Sequence, residues 1–278
     1  MAKVNAWGRI EARGVIGAFP AVFLLVVVLI YPTILTIGVI FTPATWGQVQ
    51  GAAGFGESLK NTGLWVLIAP LGALIIGGAV GAFWRAYPKL TSMVIAVMLL
   101  PMAMSFVAAA LAWRFLLGYN GGEVQTGVFN ALRVATGGTS VNVLATETLN
   151  TWVMIGVFIW MHAGLAAVLV LISRRKLPNA LWDIARLEGV SMWDWILRVE
   201  APILRREWLA IWVFLALLAL KMFDLVLIFT QGAFGSRTLG FLIYEALFTG
   251  QNPQLAAGLS GVLVVLSLLI FVPQRYVR

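Results

Sequence analysis

Residues 149–172 read LNTWVMIGVFIWMHAGLAAVLVLI, and residues 173–207 after them read SRRKLPNALWDIARLEGVSMWDWILRVEAPILRRE. The first stretch contains no Asp, Glu, Lys or Arg and is long enough to cross a bilayer, which takes about 20 apolar residues in a helix. The basic residues that follow, Arg174, Arg175 and Lys176, are typical of the cytoplasmic end of a transmembrane helix. The two stretches together predict a membrane span that leads into a cytoplasmic segment.

The composition of the whole chain agrees with a membrane location. Of its 278 residues, 61% are hydrophobic and 11% are charged, whereas soluble domains carry about 25% charged residues. A water-soluble fold of this length could not cover its surface with so few polar groups. We therefore expect an integral membrane protein.

Five further stretches have the length and apolar character of membrane spans. They are Val15–Phe41, Thr62–Phe83, Thr91–Leu117, Trp208–Phe229 and Pro253–Val272. With Leu149–Ile172 they predict an all-α membrane protein of about six spans, with residues 15–278 as one transmembrane domain and residues 1–14 as a cytoplasmic N-terminal segment. The first apolar run is too long for a signal peptide and lacks a small-residue cleavage site, so a retained helix is expected.

The distribution of the basic residues predicts the orientation. Most of the 19 Lys and Arg residues fall on the side that holds the N-terminus, the 173–207 segment and the C-terminus. Cytoplasmic loops of membrane proteins carry this excess, so both termini are predicted to be cytoplasmic. The formal net charge of +8 is thereby explained by topology, and no nucleic-acid partner is expected.

The cytoplasmic segment between the fourth and fifth spans is predicted to form two short helices. Pro178 suits a first helical turn, and Gly189 suits a helix end. Ser191 and Asp194 form a capping-box pattern for a second helix, and Pro202 is expected to break that helix before the chain re-enters the membrane. Two interpretations stay open at this level: an amphipathic loop that rests on lipid headgroups, or a docking element for a soluble partner.

This segment resembles the cytoplasmic motif of permease subunits from binding-protein-dependent ABC importers, which reads Glu-Ala-Ala, three residues, Gly, nine residues, Ile-x-Leu-Pro. The matching positions here, at the same spacing, are Asp183-Ile184-Ala185, Gly189 and Val199-Glu200-Ala201-Pro202. Glu188 matches the acidic residue common in the sugar-transporting (maltose-type) branch. The departures are Asp for Glu, Ile for the first Ala, Val for Ile and Ala for Leu.

A second stretch is similar to the same branch. Lys221-Met222-Phe223-Asp224, followed by Thr230-Gln231-Gly232, resembles a Lys-x-Phe-Asp … Thr-x-Gly run of sugar-importer permeases. Ser236-Arg237-Thr238 resembles the Ser-Thr that follows it, although the usual Gly-Gly-Pro is absent. The resemblance covers roughly residues 60–278, and the first span matches in character only.

The resemblance implies a permease subunit that forms the pathway for a sugar or oligosaccharide in the cytoplasmic membrane of a bacterium or archaeon. The coupling helix, Asn179 to Glu188, would insert into a cleft on an ATP-hydrolysing partner, with Asp183 and Ala185 facing that partner and Gly189 giving the turn. The full implied docking set is Trp182, Asp183, Ile184, Ala185, Arg186, Glu188, Gly189 and Pro202. The implied partners are a second permease, which is usually a different chain in this branch, two ATP-binding subunits and an external solute-binding protein that docks on segments 42–60 and 118–148.

The absence of several motifs narrows the chemistry of this chain. There is no Gly-Lys dipeptide and hence no P-loop, so ATP and Mg²⁺ are expected on the partner subunits and no cofactor on this chain. There are no cysteines and a single histidine, which excludes thiolate or multi-histidine metal sites. No H-E-x-x-H or G-x-S-x-G motif supports a membrane-embedded enzyme.

Four residues within the predicted spans are candidates for a gate or pathway. Lys221 and Asp224 lie three apart in the fifth span, so they are expected to share a helix face and to pair, because each charge alone is costly inside a bilayer. They could serve as a gate, as substrate contacts, as a proton relay or only as a structural ion pair. His162 could carry protons or bond to a neighbouring helix, and Trp160 could stack on a sugar ring or simply pack.

These four residues also carry the alternative function, a secondary transporter or channel driven by an ion gradient. Against that alternative, no paired inverted halves are visible in the sequence, and the cytoplasmic segment would lack a purpose.

Overall fold

The protein is helical throughout the part of the chain that the computed structural model describes, residues 18–84, 87–122 and 126–276, and contains no strand there. Among the described residues, four helices are long and apolar enough to cross a membrane: α1 (Ala18–Ile40), α3 (Phe55–Ala82), α7 (Leu149–Arg174) and α13 (Pro253–Tyr276), in which the apolar span is Pro253–Gln274. They correspond to the first, second, fourth and sixth predicted spans. The predicted segment 1–14 and the first three residues of the first span lie outside the described residues.

The third predicted span is bent. Helix α4 (Pro88–Ala103) and helix α5 (Phe106–Leu116) meet at an angle of 99°, and with this pair counted as one span the total reaches five. The side-chain oxygen of Ser105 accepts a hydrogen bond from the N–H of Ala108 (3.1 Å) and so begins a new helix. Pro101, which has no N–H to continue the helical ladder, lies just before the bend.

The fifth predicted span is two helices rather than one. Helix α10 (Arg205–Leu220) ends at Lys221, and helix α11 (Asp224–Phe229) begins after a break. The carbonyl of Met222 accepts a hydrogen bond from the Thr238 hydroxyl (2.9 Å), so this carbonyl is held by a side chain from the following loop. Helix α10, at 16 residues, is shorter than the roughly 20 residues that a straight span takes. Within the described part of the chain, the fifth predicted span is therefore not one continuous helix.

The remaining helices are shorter and come between the longer ones in the chain. Helix α2 (Pro43–Gly51) and helix α6 (Val128–Ala135) belong to the two segments predicted to lie outside. Helix α8 (Asn179–Leu187) and helix α9 (residues 192–203) form the segment between α7 and α10. Helix α12 (Leu239–Thr249) is a short apolar helix before α13.

The core lies where α3, α7 and α10 pack together. Trp65 and Phe158 are fully buried there, with ring centroids 6.0 Å apart in an edge-to-face arrangement. Close helix approach depends on small residues: a Cβ at Gly77 would lie 2.5 Å from the backbone nitrogen of Ala167, and one at Gly164 would lie 2.3 Å from the carbonyl of Met98. Helix α1, by contrast, has no buried residue in its apolar window.

The loop at residues 230–238 after the broken crossing has an unusual backbone held by distant side chains. Gln231 and Phe234 have positive φ (53° and 55°), as do Gly232 and Gly235. The Asn61 amide donates to the carbonyls of Gly235 and Arg237 (2.8 Å each), and the Asn150 amide donates to the carbonyl of Phe234 (2.9 Å). Hydrogen bonds from α3 and α7 therefore add to local bonds, such as that from the Ser236 hydroxyl to the Ala233 carbonyl (2.7 Å), in holding this loop.

Candidate functional site

Helices α8 and α9 form a compact element whose ends match the sequence signals. Gly189 has φ +68°, and the N–H groups of Gly189 and Val190 donate to the carbonyls of Arg186 (3.2 Å) and Ala185 (2.9 Å). These two bonds make a Schellman motif, which satisfies carbonyls at the end of α8. The Ser191 hydroxyl oxygen accepts from the Asp194 N–H (3.1 Å), so Ser191 begins α9 as predicted.

Pro202 does not end helix α9 as expected. The segment Trp195–Glu200 is π-helical, and the helix continues through Pro202 to Ile203 before Leu204 makes the corner into α10. Proline lacks the N–H that an α-helical ladder needs, and the wider π-turn lies directly before it. The proline is therefore accommodated inside the helix.

A small apolar core joins α8 to α9. Leu177, Ala185, Trp195 and Leu204 are buried, and the rings of Trp182 and Trp195 meet edge to face at 5.1 Å. Ala185 was expected to face a partner, but its side chain points into this core. Ala185 and the half-buried Trp182 therefore contribute to the packing of α8 on α9.

Four large apolar residues of the element remain exposed. Leu187 is 88% exposed, Trp193 69%, Leu197 67% and Ile184 56%. We call these four residues the exposed face. Asp183, Arg186 and Glu188 are exposed as well. Large apolar side chains that remain outside a fold's own core mark a surface for interaction.

Two ion pairs lie on the surface of the element, one between its two flanks and one within α9. The Lys176 Nζ lies 2.5 Å from Glu207 Oε1, and the Arg198 Nε lies 3.0 Å from Asp194 Oδ1. The hydrogen bond from Lys176 lowers the pKa of the Glu207 carboxyl group. A third pair, between Arg174 and Glu200, is buried.

The structure separates Lys221 from Asp224. Lys221 follows the last residue of α10, and Asp224 begins α11, so the expectation of a shared helix face is wrong. Among the ion pairs of the described residues, none joins the two. Both line a cavity of about 330 Å³, together with aromatic and apolar residues: Phe106, Leu218, Met222 and Phe223.

His162 and Trp160 lie in different surroundings on α7. The His162 ring is buried and stacks on Phe158 (centroids 4.0 Å apart) and Phe106 (5.7 Å), and its Nδ1 is 2.9 Å from the Phe158 carbonyl oxygen. The Trp160 ring is 38% exposed and meets Trp113 edge to face at 5.6 Å. His162 packs into the same α5 helix that borders the cavity, since Phe106 contacts both.

Arg174 and Glu200 were missed as functional candidates by sequence reasoning. Arg174 was counted only as a topology signal, and Glu200 stood at a variable position of the motif. A carboxylate between the apolar residues Val199 and Ala201 was the one available sign that this side chain needs a buried partner.

The fold is that of a transmembrane subunit of an ABC importer. A bacterial ABC transporter involved in the import of the acidic polysaccharide alginate superimposes with a TM-score of 0.81 over 98% of this chain and 97% of that chain, at 19% identity. The MetNI methionine ABC transporter superimposes with a TM-score of 0.57 over 80% of this chain and 93% of that chain, at 18% identity. No protein-family model matches the chain.

In sequence the chain resembles permease proteins of sugar ABC transporters. It is 26% identical to the alpha-glucoside transport system permease protein AglF of Rhizobium meliloti, over 91% of this chain and 77% of that protein. It is also 26% identical to the osmoprotective compounds uptake permease protein GgtC of Synechocystis, over 91% and 93%. The predicted resemblance to ABC importer permeases is confirmed.

Proposed function

We propose that this chain is the transmembrane permease subunit of an ATP-driven importer, and that it forms the pathway for a sugar or oligosaccharide. The observation that carries the proposal is the exposed face of α8 and α9, within a chain that has the importer fold over 98% of its length. Four large apolar side chains on the side predicted to be cytoplasmic need a partner that covers them.

The partner proposed for the exposed face is an ATP-binding subunit. Ile184 and Leu187 would enter its cleft, and the charges of Asp183, Arg186 and Glu188 would surround them. ATP and Mg²⁺ would be held by that subunit. Its closure would favour one of two states of the membrane helices, which is how a partner that binds one state better shifts an equilibrium.

The other proposed partners follow the importer arrangement. A second permease, of different sequence as is usual in this branch, would complete the pathway, and two ATP-binding subunits would lie beneath the pair. An external solute-binding protein would dock on segments 42–60 and 118–148, which include α2 and α6. The chain would lie in the cytoplasmic membrane of a bacterium or archaeon with both termini inside, and the α10–α11 pair would serve as a broken fifth of six spans.

The substrate class is proposed from the relatives, whose names include alpha-glucoside, xylose/arabinose and trehalose/maltose transport. The cavity at the α10–α11 break has a fitting chemistry. Phe106 and Phe223 offer aromatic faces, and Lys221 and Asp224 offer hydrogen-bonding groups beside them. Irregular backbone at membrane depth is tolerated where it lines such a cavity. Trp160 and His162 are proposed to border the pathway.

The experiment is purification of the tagged chain from native membranes in mild detergent, with every co-purifying chain identified by mass spectrometry. A P-loop ATPase and a second permease should be recovered, and Asp183→Ala and Gly189→Val should reduce the ATPase yield. Lys89→Gln, an exposed residue outside the element, is the control. Recovery of the chain alone, able to move solute in vesicles without ATP, would overturn the proposal.

A further inference from the structure

A buried polar network lies beneath the exposed face. Arg174, the last residue of α7, and Glu200 in α9 are 7% and 2% exposed and form an ion pair through Arg174 Nε and Glu200 Oε1. Arg174 Nη2 donates to the carbonyl of Gly78 in α3 (3.3 Å), and Trp195 Nε1 donates to Glu200 Oε2 (3.1 Å). We call these four groups the Arg174–Glu200 network; it joins α3, α7 and α9.

Helix α3 has a backbone that receives the guanidinium directly. A Cβ on Gly81 would lie 2.7 Å from Arg174 Nη1, so any side chain at that position would displace the Arg174 side chain. One turn earlier, Gly77 allows α3 to touch the α7 backbone at Ala167. The two glycines therefore allow α3 to lie close to the end of α7, where Arg174 pairs with Glu200 of α9.

A buried ion pair is by itself weak evidence that a contact is stabilised by its charges. Replacing a buried ion pair by apolar residues of similar volume is often neutral or stabilising, because burial removes both charges from water. A planar guanidinium fixes the relative orientation of the groups it binds, because its N–H groups contact a carboxylate and a carbonyl at fixed angles. The network thus sets the orientation of α9 relative to α3 and α7.

We propose that the Arg174–Glu200 network makes the α8–α9 element and the inner ends of α3 and α7 move as one rigid body. It would carry the movement of the docked ATPase to the membrane helices. This inference rests on the proposed function. Arg174 and Glu200 are positioning residues, because both are buried and the partner would contact only exposed residues of the element.

The test measures this rigidity directly in the assembled complex. The chain has no cysteine, so Ile75→Cys in α3 and Arg198→Cys in α9, both exposed, give unique sites for spin labels once cysteines of the partner subunits are replaced. Distances between the labels are measured in nanodiscs without nucleotide and with ATP plus vanadate.

In the parent complex a single narrow distance, the same in both states, is expected. Glu200→Gln removes the charge, and Arg174→Leu with Glu200→Met replaces the pair by apolar residues. Each should widen the distance distribution roughly twofold and let the distance change with nucleotide, as expected when one rigid body becomes two, while the ATPase still co-purifies. Glu207→Gln, which breaks the exposed Lys176–Glu207 pair in the same region, is the matched control and should leave the distance narrow.

The outcomes separate the two proposals. Unchanged narrow distances in both variants would overturn the role of the network and leave the permease function standing. A double variant that does not fold would assign the network to stability alone and would also overturn its positioning role. If the unsubstituted chain recovers no ATPase, the proposed function itself fails before any variant is compared.

Discussion

The α8–α9 element and the broken crossing at residues 221–238 are built from opposite kinds of signal. In the element, Gly189 and Ser191 end one helix and begin the next through bonds to residues within five positions. In the broken crossing, the loop is held by Asn61 and Asn150, which are 174 and 84 positions away from the carbonyls they bind. The comparison teaches that the helix ends of a surface element can be encoded locally, whereas the shape of a broken crossing depends on side chains from distant helices.

The largest expected effect is at Asn61. Asn61→Leu leaves the carbonyls of Gly235 and Arg237 without their donor, and each unsatisfied buried group costs about 1–3 kcal/mol. The thermal unfolding midpoint in detergent should fall by several degrees. Asn142→Ala is the control, because Asn142 caps an exposed turn locally (3.2 Å to the Ala145 N–H). An equal fall in the unfolding midpoint for both variants would contradict the idea that the distant bonds of Asn61 contribute more to stability than the local bond of Asn142.

The second effect tests the local side of the comparison at Gly189. Its φ of +68° is disfavoured for residues with a Cβ by about 1–2 kcal/mol, so Gly189→Val should destabilise the element by that amount. Gly189→Asn should cost less, since asparagine tolerates this conformation. Thermal unfolding of the three proteins checks the order. If Val and Asn were equivalent, the turn would not require the left-handed backbone.

The third effect concerns the exposed face and should leave stability unchanged. Leu187→Ser removes a side chain that is 88% exposed, so the unfolding midpoint should not move, yet retention of the ATPase should fall about tenfold, as a loss of 1.4 kcal/mol implies. Val264→Ser, at a 56% exposed position of α13, is the control. Quantitative mass spectrometry measures how much ATPase is retained with each variant. Full retention of the ATPase by Leu187→Ser would contradict docking at this face.

The smallest effect is expected at the exposed Lys176–Glu207 pair. The pKa of Glu207 is lowered by the hydrogen bond from Lys176, so the pair stabilises the fold above about pH 4.3, the ordinary pKa of a glutamate. This contribution is lost as the pH falls through the lowered pKa. Surface pairs contribute about 0–1 kcal/mol, so Glu207→Gln should lower the unfolding midpoint slightly at pH 7. The difference from the parent should shrink as the pH falls through the lowered pKa of Glu207, and a difference that grows on acidification would contradict the assignment.

Much of the fold could be predicted from the sequence. Four of the predicted spans are long apolar helices, because about 20 apolar residues without charge leave a chain few alternatives to a membrane helix. The turn at Gly189 and the cap at Ser191 were also predicted, since both act on their own neighbours. The breaks at residues 104–105 and 221–223 were not predicted, because the residues that flank each break on both sides are largely apolar and read as one span.

The candidate site divides in the same way. The position of the α8–α9 element and its resemblance to importer permeases were readable from motif spacing. The burial of Ala185, the separation of Lys221 from Asp224 and the pairing of Arg174 with Glu200 were not, because each depends on which helix packs opposite.

The sequence by itself thus determined the membrane location, the helical class, the predicted cytoplasmic side and the local helix ends. These follow from the solvent preference of the side chains and from bonds that close within one turn. Only the tertiary structure decided where helices break, which residues of the motif face outward and which charges meet. A hydrogen bond such as that from Arg174 to the Gly78 carbonyl joins residues whose spacing in the chain says nothing of their distance in space.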